Sequence, residues 1–229
     1  MPGENIKGRC SRCDTFAGWS DCVKEYSPNL HSIRRLFTLL AQYLFSDADR
    51  LSKFSEALAC LTYNPDGGDG PGIRIQPASV IDPGNTENVP GILVEASDEG
   101  MQLKKLAMSP EGKESKDYSA TVEMWQGDVT IQFKCLNLDG DVACLMADAL
   151  LMFLTAVRKR VLSVIPWMKE YEPLGETAPV LKRSEQDDTS STRWYESVVS
   201  VKISFIYSVY VAIESKRLKD FSMHARDEA

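Results

Sequence analysis

The stretch YSATVEMWQGDVTIQFKCLNLDGDVACLMADALLMFLTAVRKRVLSVI, residues 118–165, changes its hydrophobic period in the middle, and that change decides the fold class. Its first part holds two β-rich alternating runs around Gln126-Gly127-Asp128. Glycine supplies the positive φ of tight connections, so the spacing predicts a hairpin turning at Gly127. From Asp141 to Ile165 the period becomes helical: Val142, Leu145, Met146, Ala149, Leu150, Phe153, Leu154, Val157, Val161, Leu162 and Ile165 form one broad apolar face. Arg158, Lys159 and Arg160 suit the negative end of that helix's dipole, and Pro166 ends it.

Downstream, the odd positions Val199, Val201, Ile203, Phe205, Tyr207, Val209, Val211 and Ile213 alternate with polar residues, which predicts a long strand over 194–213. One wet face and one buried face imply antiparallel pairing. Between Pro166 and Thr192 the prolines and the run RSEQDDTSST predict a loop with one edge strand near Val180. Upstream, Ile33, Leu36, Phe37, Leu40, Tyr43 and Leu44 predict a helix over 31–46 with Ser32 as N-cap, and Leu51, Phe54, Leu58 and Leu61 a shorter one. The segment Asn64–Gly72 reads as a loop, IRIQP and GILVEA as two short strands, and Ser97–Asp117 as a long exposed loop in which Met101–Met108 could form a helical turn. Trp125 and Trp194 sit beside predicted strands, where an aromatic caps a sheet layer.

The expected architecture is α+β: an antiparallel or mixed sheet with a long helix packed across one face, plus N-terminal helices and an extended N-terminal arm. Residues 1–28 are read as a cysteine-containing arm, 29–213 as the main domain, and 214–229 as a charged, solvated tail or short surface helix.

The 229 residues are 43% hydrophobic and 26% charged, enough for one good core. A net charge of −7 and a pI near 5.0 argue against a surface built to grip nucleic-acid phosphates. No uninterrupted apolar run and no secretory-type start stand out, so a protein without membrane association, made in a cytoplasm, is expected.

Six cysteines are too few and too scattered for a disulfide-stapled scaffold. Cys60, Cys135 and Cys144 lie in apolar stretches and read as buried thiols. Cys10-Ser-Arg-Cys13 with Cys22, and His31 as a fourth ligand, offers half of a tetrahedral zinc site; the spacing to the second half matches no standard finger, and a free-thiol arm is the default. The serine-hydrolase elbow, the zincin helix, the P-loop and the dinucleotide fingerprint are missing, and neither His31 nor His224 lies near a nucleophile motif. A non-enzymatic protein without a cofactor is therefore expected. Asp66, Asp69, Glu99, Lys104, Lys105, Glu185, Asp187 and Asp188 fall in the predicted loops and are the expected contact residues of an interaction surface.

The order of a hairpin (ATVEMWQGDVTIQFKCL), a polar link (NLDGD), a long helix (ACLMADALLMFLTAVRKRVL), a polar loop and a final strand beginning RWYESVVSVKISF resembles the tail-terminator and neck (head–tail completion) proteins of tailed bacteriophages. The early helix IRRLFTLLAQYLF ahead of short strands is similar to that group as well. The resemblance covers about residues 30–213 and rests on element order. It implies a virion structural protein, assembled in the host cytoplasm, that forms a homo-oligomeric ring, typically a hexamer, at the head–tail junction. Such a ring caps the tail tube, meets tail-tube and neck proteins, and lets genomic DNA pass through its lumen without specific binding. Another neck or adaptor ring of the virion fits the same order. A non-viral adaptor module holding zinc at Cys10, Cys13 and Cys22 is the alternative from a different class.

Overall fold

The computed structural model describes residues 29–64, 72–78, 89–109, 120–183, 193–212 and 223–224. The N-terminal arm and most of the C-terminal tail therefore lie outside the described residues. Among the described residues the first helix, α1, spans Leu30–Phe45, followed by a short α2 at Ala48–Ser52 and a 3₁₀ turn at Glu56–Leu58. The strands are β1 (Arg74–Pro77), β2 (Gly91–Ser109), β3 (Ala120–Asn137), β4 (Met168–Glu176), β5 (Val180–Arg183), β6 (Arg193–Ala212) and β7 (Met223–His224). The long helix, α3, spans Gly140–Val164 between β3 and β4.

All seven strands join one sheet in the order β1-β2-β3-β6-β4, with β5 and β7 also pairing with β6. Every pairing is antiparallel except β1 with β2. The expected α+β class, with a mixed sheet and a long helix across one face, is what the chain adopts.

Both long helices lie on the same face of the sheet. α1 presents Ile33, Leu36, Phe37, Leu40, Leu44 and Phe45, all fully buried, over β1–β3, and its N-cap is Asn29, whose side chain accepts from Ser32 N at 2.8 Å. The cap lies three residues before Ser32 because the hydroxyl of Ser32 is already inside the first turn. α3 buries Met146, Ala147, Leu150, Phe153, Leu154 and Val161 against β3, β4 and β6. Its length and composition would suffice to cross a membrane, yet its apolar stripe is the roof of this core. Arg158, Lys159 and Arg160 sit one turn short of the end, where no basic residue meets the last carbonyls. The Tyr171 hydroxyl donates to Leu154 O at 3.0 Å and ties β4 to the middle of α3.

Four expectations are corrected. Gly127 is no turn: β3 runs straight through it, because the Phe205 ring of β6 occupies the space a Cβ would need. The odd alternation is unbroken through Trp125, Gly127, Val129, Ile131, Phe133 and Cys135, the core-facing row of β3. Ser97–Ser109 is the second half of β2 and no loop, with a bulge between Ala96 and Met101 where Gly100 takes φ +62°. The stretch after Pro166 contains β4, concealed because bulges near Lys169 and Leu174 break its alternation and Pro173 marks it as an edge strand. Within the tail, Met223–His224 pairs with Ser208–Val209, so part of it belongs to the sheet.

Candidate functional site

The sheet's two halves offer different surfaces. Near the helices, β2 is buried through Val94, while Gln102 to Leu106 are exposed, Leu103 by 45% and Leu106 by 41%. Among the residues whose side chains are described, Met101, Trp125 and Tyr207 are the outermost of β2, β3 and β6 that touch the core, and all three strands continue past them. At about 3.3 Å per residue, strands of 18 to 20 residues extend roughly 60 Å, about two and a half times what the 16 residues of α1 cover at 1.5 Å per residue. The result is a blade of β2, β3 and β6, with the short β7 paired along β6 at Ser208–Val209, projecting from a two-layer body.

The expected contact residues distribute unevenly over this frame. Glu99 lies in the β2 bulge, and Lys104 and Lys105 lie beyond it on the blade; all three are exposed, as expected, but on a strand and not in a loop. Lys105 Nζ stands 5.8 Å from the centre of the Trp125 ring across the β2–β3 pair. Asp66, Asp69, Glu185, Asp187 and Asp188 lie outside the described residues, as do Cys10, Cys13 and Cys22 of the proposed zinc half-site. His31 is exposed in the first turn of α1.

The face of the sheet opposite the helices is polar. The Ser204 hydroxyl lies 2.5 Å from Asp128 Oδ1 and 3.3 Å from Glu170 Oε2, so β3, β6 and β4 meet at one buried serine. Lys134 of β3 pairs with Glu95 of β2 on the same face. At one end Leu93, Leu136 and Trp194 make a small second apolar cluster, where Trp194 caps the layer as its position suggested.

One cluster was not legible as a site in the sequence. Cys144 and Asp148, one turn apart on α3, meet Glu176 at the end of β4, with their ligand-type atoms within 4.8 Å of one another. Burial, then a hydrogen bond with Asp148 and its negative charge, push the Glu176 carboxyl up to about 7. Near neutrality the Glu176 carboxyl therefore holds its proton about half of the time. Glu176 Oε2 is buried without a hydrogen-bond partner. Burial and the same carboxylates also raise the Cys144 thiol, and burial with Glu176 raises Cys135. A thiol and two carboxyls can serve as three ligands for a divalent ion. Burial first, and then the neighbouring carboxylates, hold protons on Glu176 and Cys144, and a bound divalent ion would displace them.

The i, i+4 spacing of Cys144 and Asp148 was visible in the sequence; their meeting with Glu176 required β4, which was not. Of the three thiols read as buried, Cys135 is buried, Cys144 is half-buried at this cluster, and Cys60 is exposed at the end of the 3₁₀ turn, where Leu58 alone packs inward. Compared with protein-family models and with curated proteins, the chain matches none.

Proposed function

We propose that this protein works by assembly, as a virion structural protein that forms a homo-oligomeric ring at the head–tail junction, caps the tail tube and joins it to neck proteins. The observation that carries this reading is the projecting blade of β2, β3 and β6, whose exposed Gln102–Leu106 row stands clear of the helical layer. A strand with an open edge and exposed leucines is a docking element, since it offers unpaired backbone groups together with apolar surface to a neighbour. The other face of the body is polar and held by side-chain hydrogen bonds, which suits a wall exposed to water. With a net charge of −7, a ring of such subunits would repel the phosphates of DNA passing through it and leave them unbound. No bond-making chemistry is assigned to the protein in this reading; its work is recognition between subunits.

The test is the mass of the purified chain in solution, alone and mixed with the tail-tube protein of the same virus. A closed ring of about six copies, formed alone or on the tube end, is the expected result. A monomer indifferent to tube protein overturns the reading.

A further inference from the structure

The geometry points to a specific subunit contact: the blade edge of β2, centred on Gln102 and Lys104, pairs with the outer edge of β4, centred on Glu170 and Glu172, of the next copy. This rests on the ring reading above and names the surfaces that would close it.

β1 covers the outer edge of β2 only over Gly91–Val94, so from Glu95 to Ser109 no described strand lies on the side away from β3. At the other end of the sheet order, β4 pairs with β6 on one side and with no described strand on the other. The two edges stand level. Met101, Gln102 and Leu103 pair with Val129, Asp128 and Gly127, which pair with Ile203, Ser204 and Phe205, which pair with Tyr171, Glu170 and Met168. Three successive antiparallel pairings make β4 antiparallel to β2. A rotation about an axis along the strands preserves both height and direction, so it sets β2 of one copy beside β4 of the next in antiparallel register. This is a head-to-tail contact, the kind that generates rings.

The side chains complement one another in charge. Asp128 and Glu170 flank the same Ser204, so Glu170 and Glu172 on β4 share the polar face with Gln102, which is level with Glu170, and with Lys104 two residues further along β2. A stagger of two residues, as strand tilt in a closed sheet requires, keeps that face and brings Lys104 opposite Glu170 and Gln102 opposite Glu172. Glu170, Glu172 and Lys104 are all exposed, and so are Leu103 and Leu106 on one edge and Leu174, by 54%, on the other. A lysine and a bulge also serve edge strands as protection against promiscuous pairing. Among the described edge strands, β4 carries acids at the matching height, so the lysine favours pairing with β4 of another copy.

The test is a charge swap and a cross-link in the full chain. Lys104→Glu or Glu170→Lys alone should weaken assembly about tenfold or more by setting like charges opposite each other, and the double variant should restore it. A chain carrying both Lys104→Cys and Glu170→Cys should give a ladder of disulfide-linked multimers under oxidation, absent from wild type and from either single variant, because opposed residues of an antiparallel pair come within disulfide reach. If rings form but the swap fails to restore them and no ladder appears, the contact lies elsewhere and the inference falls while the ring reading stands. If the wild-type chain stays monomeric at every concentration, with and without tube protein, the ring reading falls and takes this contact with it.

Discussion

The same three strands, β2, β3 and β6, build both the best-packed and the barest parts of this molecule. In the half under the helices, Ile92, Val94, Ile131, Phe133, Val199 and Val201 are fully buried, and Phe37 of α1 meets Phe133 edge-on at 6.2 Å. In the other half the strands continue, and among the described residues no helix lies over them past Tyr207, Trp125 and Met101. The difference shows that period-two patterning specifies strand conformation and register, whereas what becomes of a face depends on which other element reaches it. Stability resides in the first half, and exposed apolar surface, at Leu103 and Leu106, in the second.

The most severe way to break this comparison is to truncate one side chain in each half. Phe133→Ala should cost about 3–5 kcal/mol, since the ring is fully buried between α1 and the sheet. Leu106→Ala on the blade should change stability by no more than about 0.5 kcal/mol. Denaturant unfolding of the two variants reads both numbers, and comparable losses would mean that the blade is packed as tightly as the body.

A substitution at the boundary sharpens the contrast. Gly127→Ala places a Cβ against the Phe205 ring, which is itself held edge-on by Trp167 at 6.0 Å. The ring must shift, and a loss of about 1–3 kcal/mol is expected. Thermal melting of Gly127→Ala beside Gly100→Ala separates the causes. Nothing lies near Gly100, so any loss there comes from its φ of +62° alone.

Gly127 also marks where the sequence was legible and where it was not. The helix boundaries at Leu30–Phe45 and Gly140–Val164 follow from side-chain period, which is local, and they were readable to within a residue or two, although the caps proved to be Asn29 and Asp139. The long strand over 193–212 was readable for the same reason. The glycine in β3 was misread because its cause, the Phe205 ring, is remote in sequence, although the row Trp125, Val129, Ile131 already carried the strand's phase across it. β4 escaped because its bulges spoil the alternation, and the Cys144–Asp148–Glu176 cluster escaped with it. Of the expected contact residues, Glu99, Lys104 and Lys105 are exposed where composition put them, since charge predicts solvent even when the element type is wrong.

A smaller effect tests the link between layers. Tyr171→Phe removes the buried hydroxyl that reaches Leu154 O and leaves that carbonyl with its helical bond alone, at a cost of about 1 kcal/mol. Tyr171 also packs against Phe37, with ring centres 5.5 Å apart, so Tyr171→Ala should cost several times more. Near-equal losses in the two variants would mean that the hydroxyl, and not the ring, fastens β4 to the helices.

The smallest effect is the most diagnostic of the carboxyl pair. Glu176 has its folded-state pKa raised from 4.5 to about 7, so the folded chain binds a proton that the unfolded chain has released. That contribution is fully present below about pH 4.5 and is lost as the pH rises through 7. Because the group is only partly buried, solvent screening keeps the loss below about 1 kcal/mol. Wild type should therefore lose part of its stability between pH 5 and 8 that Glu176→Gln retains, since the amide keeps a hydrogen bond to Asp148 without a charge to repel it. Unfolding midpoints of the two chains across that range decide the matter. Parallel curves would show that the Glu176 carboxyl keeps its ordinary pKa in the folded chain, and the end of β4 would then be held to α3 by packing alone.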